Sequence, residues 1–342
     1  MTASRLCRPG SLAQAIGLVV CLLAGCSNAG EVTGDGSATP DPSGSPRTAS
    51  SDGSTAGVEP TTVSEPAAAS GSASGSEPTA EAEPTAASEP GREFPGETTT
   101  GPDPGIELEP SESIEVSEDG AVVENLHITG GIVVTANDVT IRNVLIDARQ
   151  RYGIQIDPET SGTVIEEVRI VGGLAEGACN IGIVYGHFEA RRVDISGCSD
   201  GIRAGSNTLL EDSWIHDMRD LPDDHSDGVQ AIGGVNIVLR GNNIQMDRGM
   251  TSAMILHGHL GGDLRDVVVE GNLLSGGGYS LNIKERTSSV ADVVVRDNVW
   301  VRDSYNFGPQ QGDAMADPVI TTWEGNVFDD GEPNMRATSG SN

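Results

Sequence analysis

"VVVEGNLLS", residues 267–275, and "VVVRDNVWV", residues 293–301, are one pattern written twice, with apolar residues at the third and eighth positions and a turn asparagine between them. Working outward from this pair, seven further segments align with it, starting at Ala121, Val139, Thr163, Phe188, Thr208, Ile237 and Thr321. The third position is apolar throughout: Val123, Ile141, Ile165, Ala190, Leu210, Leu239, Val269, Val295 and Trp323. So is the eighth: Ile128, Ile146, Ile170, Ile195, Ile215, Ile244, Leu274, Trp300 and Phe328. Alternating apolar positions describe strands with one face turned inward. One strand register that returns every 18 to 30 residues describes coils stacked into an all-β parallel solenoid. A leucine-rich repeat would need leucine columns and helical segments, and neither is present.

Each coil should carry a further strand upstream of the aligned segment. The candidates are "YGIQID", "IGIVYG", "DGIRAG", "DGVQAI", "AMILHG" and "SLNIKE". The last four segments place Asn242, Asn272, Asn298 and Asn326 at one position, which reads as a ladder of structural turn amides. This register, with its "GN" turns and variable loops, resembles the right-handed parallel β-helix superfamily that includes pectate lyases and polygalacturonases. The resemblance covers roughly residues 115–330 and implies that outward residues of the upstream strands form a shelf on which substrate lies.

The domain is preceded by different material. Residues 1–26 carry Arg5 and Arg8 ahead of an apolar run too short to span a bilayer, which is the layout of a secretory signal. The run ends in "LLAGC", which resembles the lipobox of bacterial lipoproteins. It implies that Cys26 becomes the lipidated first residue of a protein exported to the outer face of the cell membrane. An ordinary signal peptide cut nearby is the alternative. Residues 27–104 consist of Ser, Thr, Gly, Ala, Pro and Glu, with almost nothing to bury, and are expected to be a disordered tether. The β-helix is expected over 105–330 and a disordered tail over 331–342.

The chain has 342 residues and a net charge of −31, and residues 105–342 alone hold 38 acidic against 16 basic side chains. Such a field argues against nucleic acid and against electrostatic attachment to a membrane, leaving the lipid as the only membrane contact. A monomer is expected. Cys179 and Cys198 each stand three residues before the glycine of an upstream strand, Gly182 and Gly201. They should therefore stack on adjacent coils about 4.8 Å apart, within disulfide Cα spacing. A bond is permitted in an exported protein, with two buried thiols as the alternative.

The candidate site lies on the shelf. Asp200 and Arg203, Asp227 and Gln230, His257 and His259, and Asn282, Lys284 and Arg286 occur on four successive coils and are expected to line one groove. Asp223, Asp224 and Asp227 are hard oxygen donors close in sequence, suited to Ca²⁺; an acidic loop capping a turn is the plainer account. The histidine pair of "HGH" suits titration near neutrality or a metal, or is merely exposed. Lys284, the only lysine of the chain, is a base if its pKa is lowered and a solvent-facing residue of "KER" otherwise.

Two enzyme readings and one non-enzyme reading follow. Resemblance to β-helix uronate lyases implies Lys284 as the base, Arg286 or Arg203 as partner of the substrate carboxylate, and the three aspartates as Ca²⁺ ligands. Resemblance to polygalacturonase-type hydrolases rests on "SDG", "HSDG", "HGH" and "NIK" occurring in that order. It implies catalytic roles for Asp200, Asp227, His257 and Lys284. Ser226 stands where that family has one of its paired aspartates, and Asn282 where it has an arginine. The third reading is a non-catalytic carbohydrate-binding or adhesin-like surface protein. In all three the partner is polysaccharide. If "LLAGC" is a lipobox, intact-mass analysis of membrane fractions will find acyl chains on Cys26, and Cys26→Ser protein will leave the membrane; a Cys26→Ser protein that stayed membrane-bound would contradict this.

Overall fold

The structure is a computed structural model that describes residues 93–173, 177–221, 225–260, 262–311 and 319–337. The signal segment, Cys26, the tether up to residue 92, Asp223 and Asp224 lie outside these residues. Every strand that follows pairs in parallel with its equivalent on the next coil, and the described residues contain strands and no helix. The molecule is a parallel β-helix.

The two apolar columns are the register of the fold. Val123, Ile141, Ile165, Ala190, Leu210, Leu239, Val269, Val295 and Trp323 are hydrogen-bonded register partners in succession. The second column runs unbroken from Ile128 to Phe328. Between Ile141 and Val295, and between Ile128 and Trp300, every member of both columns is buried. Trp323 and Phe328, on the last coil, are only partly buried against the core.

A corner separates the two columns. The fifth residue of every segment, from Asn125 through Glu167, Arg192 and Asp212 to Gly325, has φ between 48° and 70°. A left-handed residue turns the chain sharply while the hydrogen bonds to the next coil continue. The sixth residue then points inward. It is aliphatic in the first coils, Ser213 in the fifth, and asparagine thereafter. Asn242 and Asn272 show how the buried amides are satisfied. Nδ2 of Asn242 donates to the Leu210 carbonyl at 3.0 Å and to Oδ1 of Asn272 at 2.9 Å, and the same Oδ1 accepts the Asn242 backbone N–H at 2.9 Å. The pattern repeats from Asn272 to Asn298 and from Asn298 to Asn326, and Ser213 joins it by donating its N–H to Asn242.

The shelf strands are Tyr152–Ile156, Ile181–Val184, Asp200–Ala204, Asp227–Ala231, Ser252–Gly258 and Tyr279–Glu285, followed by Gly308–Gln311, which the sequence pattern did not reveal. Glycine opens several of them because the coils touch there. A Cβ on Gly201 would come 2.4 Å from the Gly228 carbonyl oxygen and 2.8 Å from a methyl of Ile215. Just upstream, Cys179 and Cys198 are joined by a disulfide with their Cα atoms 4.7 Å apart, and both are fully buried.

Structured segments extend past both boundaries drawn from composition. Residues 93–104, assigned above to the tether, run along the corner edge as a strap. The Pro95 carbonyl accepts from Asn243, the Gly101 N–H donates to the Arg192 carbonyl, and the Asp103 N–H donates to Asn143. Residues 331–337, assigned to the tail, fold back as a cap: Asn334 donates its N–H to Asn326 and accepts from the Trp323 indole. Both segments are held by backbone polar groups, which an apolar pattern does not register. Asn272→Ala will strip partners from the Asn242 N–H, the Asn242 amide and the Leu239 carbonyl, and denaturant unfolding is expected to show a loss of at least about 3 kcal/mol. A loss below about 1 kcal/mol would mean that the ladder is not a stabilising network.

Candidate functional site

The shelf residues fall into two clusters. In the first, the backbone N–H of Asp227 donates to Oδ1 of Asp200 at 3.1 Å, which brings the Asp200 carboxyl onto the main chain of Asp227 on the next coil. Gln230 links this pair to a cation: its Oε1 accepts from Arg203 Nε at 2.7 Å, and its Nε2 donates to Oδ2 of Asp227 at 3.2 Å. Arg203 also stands 3.8 Å from Asp200. Asp227 is 2% exposed and Asp200 9%. Burial pushes the Asp227 carboxyl well above the usual carboxylate range, and the Asp200 charge adds to that. Gln230, the Ser252 backbone and Arg203 oppose the shift without cancelling it. Oδ1 of Asp227 has no hydrogen-bond partner among the described residues.

The second cluster contains His257, Asn282, Lys284, Arg286 and His259. Lys284 is the register partner of His257. Burial pushes the His257 imidazole down to about 4, with the Arg286, Lys284 and His259 charges adding to the shift and the Asn282 amide opposing it. The imidazole is therefore neutral across the physiological range. Its Nε2 and the Asn282 Oδ1 are buried without a hydrogen-bond partner among the described residues. His259 contacts Thr287 at 3.1 Å.

The clusters do not merge into the single groove expected from the order of the motifs. In register, Asp227 matches Ser252 and Ser252 matches Tyr279. Lys284 lies five residues farther along that strand, about 16 Å at strand rise. Ile255 stands in the column between Gln230 and Asn282 and separates the two polar groups. Motif order shows which coil a residue is on, whereas position along the strand places Asp227 at the start of its strand and His257 and Lys284 near the end of theirs. Ser226 also has a plain structural role, since its hydroxyl donates to the Arg219 carbonyl at 2.8 Å. With Asp223 and Asp224 outside the described residues, the Ca²⁺ set reduces here to Asp227. Its described neighbours are a carboxyl, an amide and a guanidinium.

Beside the first cluster is an open groove of about 400 Å³, lined by Arg203, Ile232, Leu260 and Tyr185 among others. Leu260 is 81% exposed and Tyr185 37%. Tyr185 was not among the residues singled out in the sequence, where the "VYG" that ends its strand looks like an ordinary strand exit. A separate polar cluster occupies another face. There Asp194 is buried between Arg169, at 2.8 Å, and His216, at 3.0 Å. The His216 ring stacks on Trp214 at 3.4 Å between centroids.

A scan against protein-family models finds no match, and a search of curated proteins finds none. Among solved structures the chain is similar to the crystal structure of Dettilon tailspike protein (gp208), with 14% identity and a TM-score of 0.37 over 67% of this chain. It spans about three fifths, 61%, of the tailspike chain.

The two perturbed groups act on stability in opposite directions. Folded His257 binds its proton at about 4 against 6.5 for the ordinary imidazole, so its contribution is present above 6.5 and lost as pH falls towards 4. Asp227 is raised from 3.8, so its contribution is present below about 4 and lost as pH rises through the folded value. Thermal midpoints measured across this range should show Asp227→Asn gaining on the wild type from pH 4 to pH 7, and His257→Gln flattening the acid limb between 6.5 and 4. An Asp227→Asn protein offset by the same amount at pH 4 and pH 7 would contradict the assignment.

Proposed function

We propose that the protein is an exported lipoprotein whose β-helix binds polysaccharide along the shelf and hydrolyses it, with Asp227 as general acid and Asp200 as its partner base. The observation that carries this is the state of the Asp227 carboxyl. It is buried near a second carboxyl and raised in pKa, with one oxygen engaged by Gln230 and the other without a hydrogen-bond partner among the described residues. Glycoside hydrolysis needs one carboxyl that still holds its proton at working pH and one that does not. Arg203 stands 3.8 Å from Asp200 and is bonded to Gln230, so a cation lies beside the proposed base. The orphaned oxygen is where the proton to be donated would sit.

The lyase reading places its base, Lys284, in the other cluster with Arg286, away from the paired carboxyls. Non-catalytic binding has one specific observation in its favour, the 2% exposure of Asp227. That is a tight site for a group that must reach a glycosidic oxygen. The lipid anchor belongs to this proposal through "LLAGC" alone, and Ca²⁺ is not needed for it.

A panel of neutral and acidic polysaccharides assayed for new reducing ends and for unsaturated, ultraviolet-absorbing products tests all three. Hydrolysis predicts reducing ends without the absorbance. Asp227→Asn should lower turnover by at least about a hundredfold without lowering the thermal midpoint at pH 7. Unsaturated products that vanish in Lys284→Ala would establish the lyase instead, and binding without either product would leave the binder.

A further inference from the structure

Aromatic residues make up 3% of this chain, with 4 Tyr and 4 Phe, yet they are not spread evenly. Tyr152, Tyr185, Tyr279 and Phe307 all stand on or beside the shelf. Register orders Tyr152 and Tyr279 about the acid pair, while Tyr185 stands four residues beyond Ile181 and meets their column through its ring contact with Tyr152. One column reads Tyr152, Ile181 and Asp200, then Asp227, Ser252 and Tyr279 on the following coils. Each coil step is about 4.8 Å, so a tyrosine lies two steps, about 10 Å, from the nearer aspartate on either side.

Each tyrosine is one half of a pair. The Tyr152 and Tyr185 rings meet edge to face at 6.3 Å, and the Tyr279 and Phe307 rings meet at a tilt at 5.6 Å. Phe307 is 76% exposed and Tyr185 37%. Neither is a loose surface side chain. Phe307 is held by its N–H donating to the Gly278 carbonyl at 2.8 Å, and its ring lies over Gly278, where a Cβ would come within 3.2 Å of it. Tyr185 sits at φ 73°, outside the corner column formed by the fifth residue of each segment. A bulky side chain in that conformation carries backbone strain, which marks a position set by something other than local preference. Between the two pairs lie Asp227 Oδ1 and Ser252 Oγ, polar atoms without a hydrogen-bond partner among the described residues.

We propose that these pairs are two aromatic platforms that seat sugar rings of one polysaccharide chain laid along the helix axis, across the strands, with the acid pair between them. This rests on the reading that the shelf takes polysaccharide and adds which residues hold the chain and in which direction it runs. A sugar ring offers an apolar C–H face to an aromatic ring and hydroxyls at its rim. The shelf repeats that alternation, with rings at both ends and hydrogen-bonding groups between them. A chain lying along the strands instead of across them would meet one platform only.

The test is native affinity electrophoresis of the full protein in gels containing polygalacturonate, alginate, hyaluronan or dextran, in the wild-type and Asp227→Asn backgrounds. At least one polymer should retard the protein. Tyr185→Ala and Phe307→Ala should each weaken the apparent affinity about tenfold, and together by about the product. Tyr185→Phe should hold wild-type affinity, and Val122→Ala, an exposed apolar residue on another face, should change nothing. Unchanged thermal midpoints verify folding. Retardation by none of the four polymers, or a double variant retarded like the wild type, overturns the proposal. Retardation lost in the double variant but with no cleavage in any background keeps the platforms and removes the hydrolase. Cleavage with retardation indifferent to both substitutions does the reverse.

Discussion

Parallel hydrogen bonding from each coil to the next is the constraint on which the rest of this structure depends. It fixes the spacing of equivalent residues at about 4.8 Å and so turns each sequence position into a column. Apolar columns make the core, asparagines make a ladder of shared amides, and two cysteines at one position come within bonding distance. The same constraint works on the outside. Two aspartates that open adjacent shelf strands are brought close whether or not their charges favour it, and burial together with the Asp200 charge pushes the Asp227 carboxyl well above the usual range.

The buried polar groups are not all satisfied. The ladder amides are fully paired, which is how a protein keeps buried amides without destabilising itself. Asp227, Ser252, His257 and Asn282 on three successive shelf strands each leave a buried atom without a hydrogen-bond partner among the described residues, as do Thr163, Thr208 and Asn243 away from the shelf. Orphaned polar atoms of this kind cost about 1–3 kcal/mol each. Asp227 and Ser252 lie in the register column that runs from Tyr152 to Tyr279, and His257 and Asn282 lie farther along their strands. The overall negative charge adds that an acidic polymer would need local help, and Arg203 beside the first cluster is the nearest source.

Much of the fold was legible in the sequence because burial is periodic. The third and eighth positions of nine segments coincide with the observed register without a shift between Val123 and Val295. The left-handed corners were not legible as such: Glu167 and Arg192 occupy them although neither residue type announces that conformation, because stacking on the neighbouring coil imposes it. The strap and the cap escaped notice for another reason, as both are held by main-chain hydrogen bonds in segments with little to bury. At the site, sequence order correctly assigned Asp200, Asp227, His257 and Lys284 to shelf strands. It did not show that the latter two lie near the far ends of theirs. Tyr185 and Phe307 were missed because an isolated aromatic at a strand exit or in a loop has no pattern to belong to until the coils are stacked.

The central claim is that burial, with the Asp200 charge beside it, raises the Asp227 carboxyl above the usual carboxylate range. Carbon-13 NMR of protein labelled at the aspartate carboxyls, titrated across the acid and neutral range, measures it directly. The account predicts that the Asp227 resonance titrates well above the ordinary 3.8, and that Asp200→Asn moves its inflection downward while the backbone hydrogen bond to residue 200 is kept. An Asp227 inflection at or below 3.8, or one indifferent to Asp200→Asn, would contradict it.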